Sequence, residues 1–152
     1  MTDIHKFACE SNAIEGERFI SKYQFEALEW FLEQPLNEKS VLEYHRRVAE
    51  NLPKQYRGVY RDREITIGGK PAGDKHYAIQ NEMDDFFKRL PKMNSWEAHN
   101  LFEKIHPFAD YNGRTGRAIW LWKVENEAKR DVRSSFLQDF YYQTLEHFTS
   151  KK

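Results

Sequence analysis

Apolar residues recur every three or four positions along most of this chain, and that spacing predicts amphipathic helices. Prolines at positions 35, 53 and 91 end several of the apolar stripes. A helix capped by Ser95 is predicted as well, and the polar run 125–135 is predicted to be a connector. The stripes comprise Ile20, Tyr23, Ala27, Leu28 and Phe31; Val41, Tyr44, Val48 and Leu52; Ile79, Met83, Phe86, Phe87 and Leu90; Ala98, Leu101, Phe102 and Ile105; and Phe136, Leu137, Phe140, Tyr141, Leu145 and Phe148.

Two segments complete the predicted architecture. A helix is predicted after residue 111, and its run 119–122 is apolar nearly all round, which is typical of a central buried helix. Ile65 and Ile67 instead alternate with Thr66 before the turn signal Gly68-Gly69, which predicts a hairpin. The predicted fold class is therefore all-α, a helical bundle with one small β-hairpin.

Composition narrows the class of protein. A length of 152 residues fits one domain with its own core. A formal net charge of zero and a pI near 7.0 give no broad attraction to nucleic acid or to a membrane surface. Cys9 is the sole cysteine, and no apolar run has the length of a signal or a membrane span, so we expect a cytoplasmic protein. The sequence leaves the oligomeric state open and is compatible with a homo-oligomer.

The segment 106–117 collects residues that can handle a polyphosphate. His106 has an ordinary pKa near ~6.5, so it can accept a proton from an attacking hydroxyl. Asp110 is a hard oxygen ligand suited to Mg²⁺ that is also held by phosphate oxygens. The predicted helix begins directly afterwards, and a helix N-terminus is a ready anion site.

The same segment supplies further phosphate contacts. Asn112 offers an amide, and Gly113 allows close approach of the backbone to a phosphate. Arg114 and Arg117 lie three positions apart, so they share a helix face and can bind phosphate oxygens. Each residue alone has an ordinary explanation as a core or surface residue. The complete set is better explained by a nucleotide site.

The segment resembles the signature of the Fic family, His-x-Phe-x-Asp/Glu-Gly/Ala-Asn-Gly/Lys-Arg-x-x-Arg. Tyr111 departs from the pattern, because Gly or Ala is usual there; a bulky side chain would narrow the anion pocket or stack on a base. The resemblance implies a helical bundle that transfers AMP from ATP to a protein hydroxyl with Mg²⁺ (AMPylation). It implies His106 as base, Asp110 as the Mg²⁺ ligand and Phe108 as an anchor in the core. Phosphate contacts are implied for Asn112, Gly113 and Arg114, and a γ-phosphate contact for Arg117.

Residues 11–16 are similar to the inhibitory motif of the same family, Ser/Thr-x-x-x-Glu-Gly/Asn. Ser11, Glu15 and Gly16 match it. The resemblance implies that Glu15 pairs with Arg117 and blocks seating of the γ-phosphate, since a guanidinium held by a carboxylate is not free for phosphate. A short amphipathic helix with an exposed glutamate is the plainer alternative. Whether Glu15 also supports removal of AMP is left open.

The predicted hairpin resembles the family's target-docking flap. Ile65, Thr66, Ile67 and Gly68 would then hold a target protein as an added strand. An ordinary hairpin covering the core is the alternative.

The resemblance therefore implies a single Fic domain over 1–152. It places the inhibitory helix at about 8–18, the flap at about 56–69, and the signature loop and helix at 106–127. The predicted function is an auto-inhibited adenylyltransferase whose partners are ATP and a target protein. The sequence leaves two alternatives: use of another nucleotide donor, and a non-catalytic protein-docking module.

Overall fold

The computed structural model describes residues 3–15 and 22–127. Within them the helices are α1 (Asp3–Ile14), α2 (Lys22–Leu32), α3 (Glu38–Val48), α4 (Ile79–Arg89), α5 (Ser95–Ile105) and α6 (Asn112–Asn126). Short 3₁₀ turns lie at Lys54–Tyr56, His76–Ala78 and Leu90–Lys92. The predicted stripe at 136–148 lies outside the described residues. No helix in the described ranges has the length and apolarity needed to cross a membrane.

Two helices begin at reciprocal asparagine caps. The Asn37 side chain accepts from the Ser40 N–H at 2.9 Å, and the Asn37 N–H donates to the Ser40 hydroxyl. For α5 the cap is Asn94, whose side chain accepts from the Glu97 N–H at 2.8 Å. The prediction of Ser95 as cap is therefore wrong by one position. Asn94 prevails because the Glu97 carboxylate three positions later accepts the Asn94 N–H at 3.0 Å.

Helix α6 runs through the centre of the bundle, as the sequence predicts. It packs against α5, α2, α3 and α1. Its residues 118–121 have no exposed surface, and Trp122 is partly buried. The Trp122 indole N–H donates to the Gln34 carbonyl at 2.8 Å. The first residues of this central helix carry the predicted phosphate contacts, so the candidate site is anchored directly in the core.

The hairpin consists of β1 (Ile65–Ile67) and β2 (Lys70–Ala72), paired antiparallel with Ile65 opposite Ala72. The turn residues Gly68 and Gly69 have φ values of 60° and 80°, the left-handed region that a tight two-residue hairpin turn requires. The predicted segment 56–69 misses the second strand, because Pro71 argues against strand in the sequence. Proline is tolerated here on an edge strand. The all-α bundle with a small hairpin is confirmed.

Candidate active site

The loop between α5 and α6 forms one wall of a cleft of about 510 Å³. We call this the His106 cleft. The hairpin forms a second wall and the end of α1 a third. Its lining residues are Glu15, Ile65, Thr66, Ile67, Glu103, His106, Ala109, Asp110, Tyr111, Asn112, Gly113 and Arg117. The fold thus brings together most of the predicted site residues, although they are spread over most of the chain.

His106 ends α5 in the left-handed conformation, with φ at 53°. Its Nδ1 lies 3.2 Å from the Glu103 carbonyl oxygen, which can only accept. In the neutral ring Nδ1 therefore carries the proton and Nε2 keeps its lone pair. Burial lowers the pKa of His106 below its ordinary 6.5, and the neighbouring Arg61 contributes in the same direction. Both effects favour the unprotonated imidazole that a general base needs, whereas the hydrogen bond to the Glu103 carbonyl raises the pKa.

The Asn112 side chain shapes the loop rather than facing the cleft. Its Oδ1 accepts from the Phe108 N–H and its Nδ2 donates to the Phe108 carbonyl, both at 2.8 Å. Phe108 itself is fully buried, as the resemblance implies for an anchor. Both ends of the Asn112 amide therefore close the loop, and the contact of Asn112 with phosphate stays a prediction.

Asp110 is exposed at the mouth of the cleft. Its Oδ1 accepts from the Tyr111 N–H at 2.7 Å, which leaves further lone pairs on the carboxylate. The Asp110 carbonyl accepts from Nε2 of His45 at 2.9 Å, while Nδ1 of the same ring accepts from the Gly58 N–H at 2.9 Å. Burial lowers the pKa of His45 to about 4. A neutral, fully buried histidine thus holds the backbone of this loop.

The first turn of α6 faces the cleft with no side-chain cap from the described part of the chain. Such a turn has backbone N–H groups that can bind an anion. The Glu15 carboxylate lies against this turn: a Cβ added at Gly113 would overlap Glu15 Oε1. A carboxylate of the chain itself therefore lies beside the first turn of α6.

Arg117 is held by α1. Its Nε donates to the Ser11 hydroxyl at 2.8 Å and its Nη2 to the Ser11 carbonyl at 3.2 Å. Nη2 also donates to Glu15 Oε1 at 2.5 Å. The guanidinium is 95% buried, since only 5% of its side chain is exposed, whereas 35% of the Glu15 side chain is exposed. The predicted pairing of Glu15 with Arg117 is confirmed, and Gly16 lies outside the described residues.

Arg114 points away from the His106 cleft. Its guanidinium stacks on the Tyr111 ring at 3.8 Å and borders a small interior cavity beside Ser11 and Tyr44. The contact of the Arg114 side chain with phosphate stays a prediction. Tyr111 has only 3% exposure, so its ring is part of the wall beneath Arg114 and does not fill the anion pocket.

Glu103, one turn before His106, was not among the predicted site residues. Its Oε1 is enclosed without a hydrogen-bond partner among the described residues, and its Oε2 lies 3.9 Å from His106 Nδ1. Burial raises the pKa of Glu103 to about 7, with Arg117 opposing that shift and Glu15 adding to it. The spacing of three positions before His106 on one helix was the available signal.

Strand β1 lies along the cleft. Within the described ranges β1 pairs only with β2, and Ile65, Thr66 and Ile67 all line the cleft. Ile67 is 60% exposed. Gly68 is confined to the turn and is not among the lining residues. The hairpin therefore lies beside His106, and target docking on it stays a prediction.

A family model described as "Fic/DOC family" matches residues 35–122 of the chain. The match covers the segment from α3 to the middle of α6, including the signature residues.

Curated relatives include the "Protein adenylyltransferase Fic" of Drosophila grimshawi, 32% identical over 118 residues that cover 72% of this chain and 24% of that protein. The protein of the same name from Aedes aegypti is 33% identical over 89 residues, covering 53% of this chain and 18% of that one. The chain thus spans about a quarter or less of the length of these relatives.

Two solved structures share the fold. A Fic family protein from Desulfovibrio desulfuricans superposes with a TM-score of 0.67 at 22% identity, covering 98% of this chain and 58% of that one. A Fic domain containing signaling protein from Bacteroides thetaiotaomicron gives 0.59 at 19% identity, covering 80% of this chain and 62% of that one.

Proposed function

The chain belongs to the Fic/DOC family, and from this premise we propose that it transfers AMP from ATP to a hydroxyl side chain of a target protein. The relatives named protein adenylyltransferase support this activity. The observation that carries the proposal is the meeting of His106, Asp110 and the first turn of α6 in one cleft.

His106 acts as the general base in this proposal. Its Nε2 takes the proton of the target hydroxyl while that oxygen forms a bond to the α-phosphorus. The bond from the α-phosphorus to the bridging oxygen breaks, and pyrophosphate leaves with that oxygen. The Nδ1–H bond to the Glu103 carbonyl keeps the ring in the tautomer that this step needs.

The donor set at the cleft mouth suits Mg²⁺. Asp110 offers a carboxylate with one accepted hydrogen bond, and Mg²⁺ in nucleotide sites is commonly held by one or two carboxylates plus phosphate oxygens. When bound there, Mg²⁺ would neutralise charge on the phosphates. The backbone N–H groups of Asn112 and Gly113 and the guanidinium of Arg117 would hold the phosphate oxygens.

Restraint by Glu15 is the second half of the proposal. The Arg117 guanidinium donates to Ser11 and Glu15, and the Glu15 carboxylate lies over Gly113. A triphosphate needs the same donors for its terminal phosphate, so both anions compete for one site. Productive binding of ATP then requires Glu15 to leave.

The target protein is proposed to dock along β1. Among the described residues one edge of this strand is unpaired, and it would offer backbone groups to an extended segment and place a target hydroxyl beside His106.

Label transfer from α-labelled ATP with Mg²⁺ to proteins of a cell lysate tests the function. The variants are wild type, Glu15→Gly, Glu15→Gly/His106→Ala and the matched control Glu33→Gly. Glu33 is an exposed glutamate one position after α2, as Glu15 is one position after α1. We expect label with Glu15→Gly, none with the double variant, and wild-type behaviour with Glu33→Gly.

Two results would contradict the proposal. Equal labelling by wild type and Glu15→Gly would contradict the restraint by Glu15 but not the AMP transfer. Binding of ATP without labelling by any variant would contradict AMP transfer and indicate another nucleotide donor.

A further inference from the structure

Arg61 is enclosed beneath the His106 cleft and faces backbone carbonyls. Its side chain has no exposed surface. Nε donates to the His106 carbonyl at 2.7 Å and Nη1 to the Arg63 carbonyl at 3.0 Å. Nη2 donates to the Asp74 carbonyl and approaches the Ile105 carbonyl at 3.4 Å. The nearest carboxylate oxygen, on Glu64, is 4.0 Å from Nη1.

These carbonyls belong to three separate segments. Arg63 precedes β1 and Asp74 follows β2, so they lie on the two arms of the hairpin. Ile105 and His106 end α5. One side chain therefore binds both arms of the hairpin and the backbone of the proposed base.

Backbone contacts bring the same segments together. The Arg61 N–H donates to the Pro107 carbonyl at 2.9 Å, and the Asp74 N–H donates to the Ile105 carbonyl at 3.1 Å. Gly73 has φ at 76°, and a Cβ there would lie 2.6 Å from the His106 Cβ. The hairpin thus returns to the bundle directly against His106.

The contact between Glu64 and His76 connects fewer segments than Arg61 does. Glu64 Oε1 accepts the His76 N–H at 2.9 Å, which joins the two arms to each other and not to α5. Arg61 differs because its planar fork has donors aimed in fixed directions. Burying a guanidinium is costly unless its donors are used, so the arrangement resists rearrangement.

We propose that Arg61 is a positioning residue that fixes the hairpin, and with it a docked target hydroxyl, relative to His106. The inference rests on the proposed AMP transfer. Its physical reason is that a displacement of about 1 Å at reacting atoms costs on the order of 10²-fold in rate. One side chain that contacts the His106 backbone would thus align the two reacting partners.

Arg61→Lys in the Glu15→Gly background tests the inference. Lysine keeps the positive charge, but its single ammonium cannot reach carbonyls in three segments with fixed geometry. Arg57→Lys is the matched control, because Arg57 also donates to two backbone carbonyls, of Leu52 at 2.7 Å and Glu50 at 2.8 Å, outside the cleft.

Three quantities are measured: initial rate of labelling of the lysate proteins that Glu15→Gly modifies, Kd for ATP, and hydrogen exchange of the Asp74 amide. For Arg61→Lys we expect labelling to fall on the order of 10²-fold at saturating ATP, while Kd for ATP changes less than about threefold. Exchange at Asp74 should become faster. Arg57→Lys should match its parent in all three.

Labelling within about threefold of the parent in a folded Arg61→Lys protein would overturn the inference. An equal loss of ATP affinity would also overturn it, because Arg61 would then support the whole site. If Arg61→Lys does not fold, Gly73→Ala gives the second test. Its added methyl would meet the His106 Cβ, the Ile105 carbonyl and Arg61 Nη2, so it displaces the arm from His106 and from the Arg61 donors, and the same split between labelling and ATP affinity is expected.

Failure of the proposed function is recognised separately. If Glu15→Gly itself labels nothing, AMP transfer is wrong, and exchange at Asp74 still decides whether Arg61 fixes the hairpin to α5. Unchanged exchange in Arg61→Lys would then overturn the structural part of the inference.

Discussion

The loop wall and the α1 wall of the His106 cleft are held in place by different kinds of contact. The loop wall is closed by local bonds, from Asn112 to Phe108 and from Thr115 to Tyr111, each spanning four positions. The α1 wall reaches Arg117 across 106 positions from Ser11 and 102 from Glu15. Local closure costs little chain entropy, whereas the α1 contact depends on the docking of a separate helix.

This difference assigns the proposed catalytic chemistry to the loop and the proposed restraint to α1. Residues 108–115 are held by their own hydrogen bonds and by His45, and none of these contacts involves α1, so we expect the loop to keep its shape whether or not α1 is in place. Helix α1 adds a modest apolar contact through Phe7 and Ala8 and a polar contact from Asn12 to Gln24 at 2.7 Å. Changes in the loop should therefore affect catalysis or folding, and changes at the end of α1 should affect regulation.

His106→Ala in the Glu15→Gly background should have the largest effect, because it removes the base and leaves the loop bonds intact. We expect labelling to fall about 10²- to 10⁴-fold, with ATP binding largely retained. His106→Asn is the companion variant, since asparagine tolerates the φ of 53° and also lacks the base. Undiminished transfer in both variants would show that His106 is not the general base.

Asn112→Ala should break the loop wall itself. The change leaves the buried N–H and carbonyl of Phe108 without their partner, at a cost of about 2–4 kcal/mol in the free energy of unfolding. Urea unfolding measures it, with the exposed Asn126→Ala as control. A cost near that of the control would mean that the loop closes by other contacts.

His45 should make the loop wall sensitive to acid. Its pKa is about 4 in the folded protein, below the ordinary 6.5, so the unfolded chain binds the proton first. Its contribution to stability is full above pH 6.5 and is lost as pH falls towards 4. The slope is at most about 1.4 kcal/mol per pH unit. Buried His99, with a pKa of about 3, adds to the loss, and Glu103, with a raised pKa, opposes it.

Comparing wild type with His45→Gln isolates that contribution. Urea unfolding at about pH 7 and about pH 5 should show a smaller pH dependence in the variant, although it is less stable at both. Equal pH dependence in the two proteins would show that His45 is not the group that titrates.

Glu15→Gly should change the α1 wall alone. Because 35% of its side chain is exposed, solvent screens the Arg117 pair, and we expect a stability change below about 1 kcal/mol. Labelling should nevertheless rise about tenfold, corresponding to release of Arg117 for phosphate. A loss of several kcal/mol measured by urea unfolding would mean that Glu15 is structural, and the separation of the two walls would fail.

Tyr111→Gly should have the smallest effect on nucleotide binding. The ring is buried beneath Arg114, so its removal should change Kd for ATP by less than about threefold. Glycine also relieves the left-handed backbone, where φ is 65°. A large gain in ATP affinity by calorimetry would show that the ring obstructs the anion pocket after all.

Much of the fold was predictable because helical spacing and turn glycines act locally. The central burial of α6, the Gly68-Gly69 turn and the pairing of Glu15 with Arg117 all follow from the sequence or from the resemblance. Strand β2 was not predicted, because proline is unfavourable in strands and Pro71 lies at its centre. The cap of α5 was predicted one position late, because Asn94 and Ser95 are both good caps.

Side-chain direction is what the sequence could not supply. Asn112 and Arg114 both match the signature, yet one closes the loop and the other stacks on Tyr111. Arg61 lies in a charged run that is typical of a solvated surface. It is buried only because the fold packs both arms of the hairpin and the end of α5 around its side chain. Such directions are set by tertiary packing, and residue type does not determine them.

Under the proposed restraint, the contact of Glu15 with Arg117 makes the competing anion part of the same molecule. A separate inhibitor is lost on dilution, whereas a tethered carboxylate keeps an effective concentration fixed by its linker, in the mM range for short flexible tethers and higher for a rigid helix. The balance between restrained and free molecules is then independent of how much protein a cell makes. Only a change in nucleotide, partner or helix α1 itself can shift it.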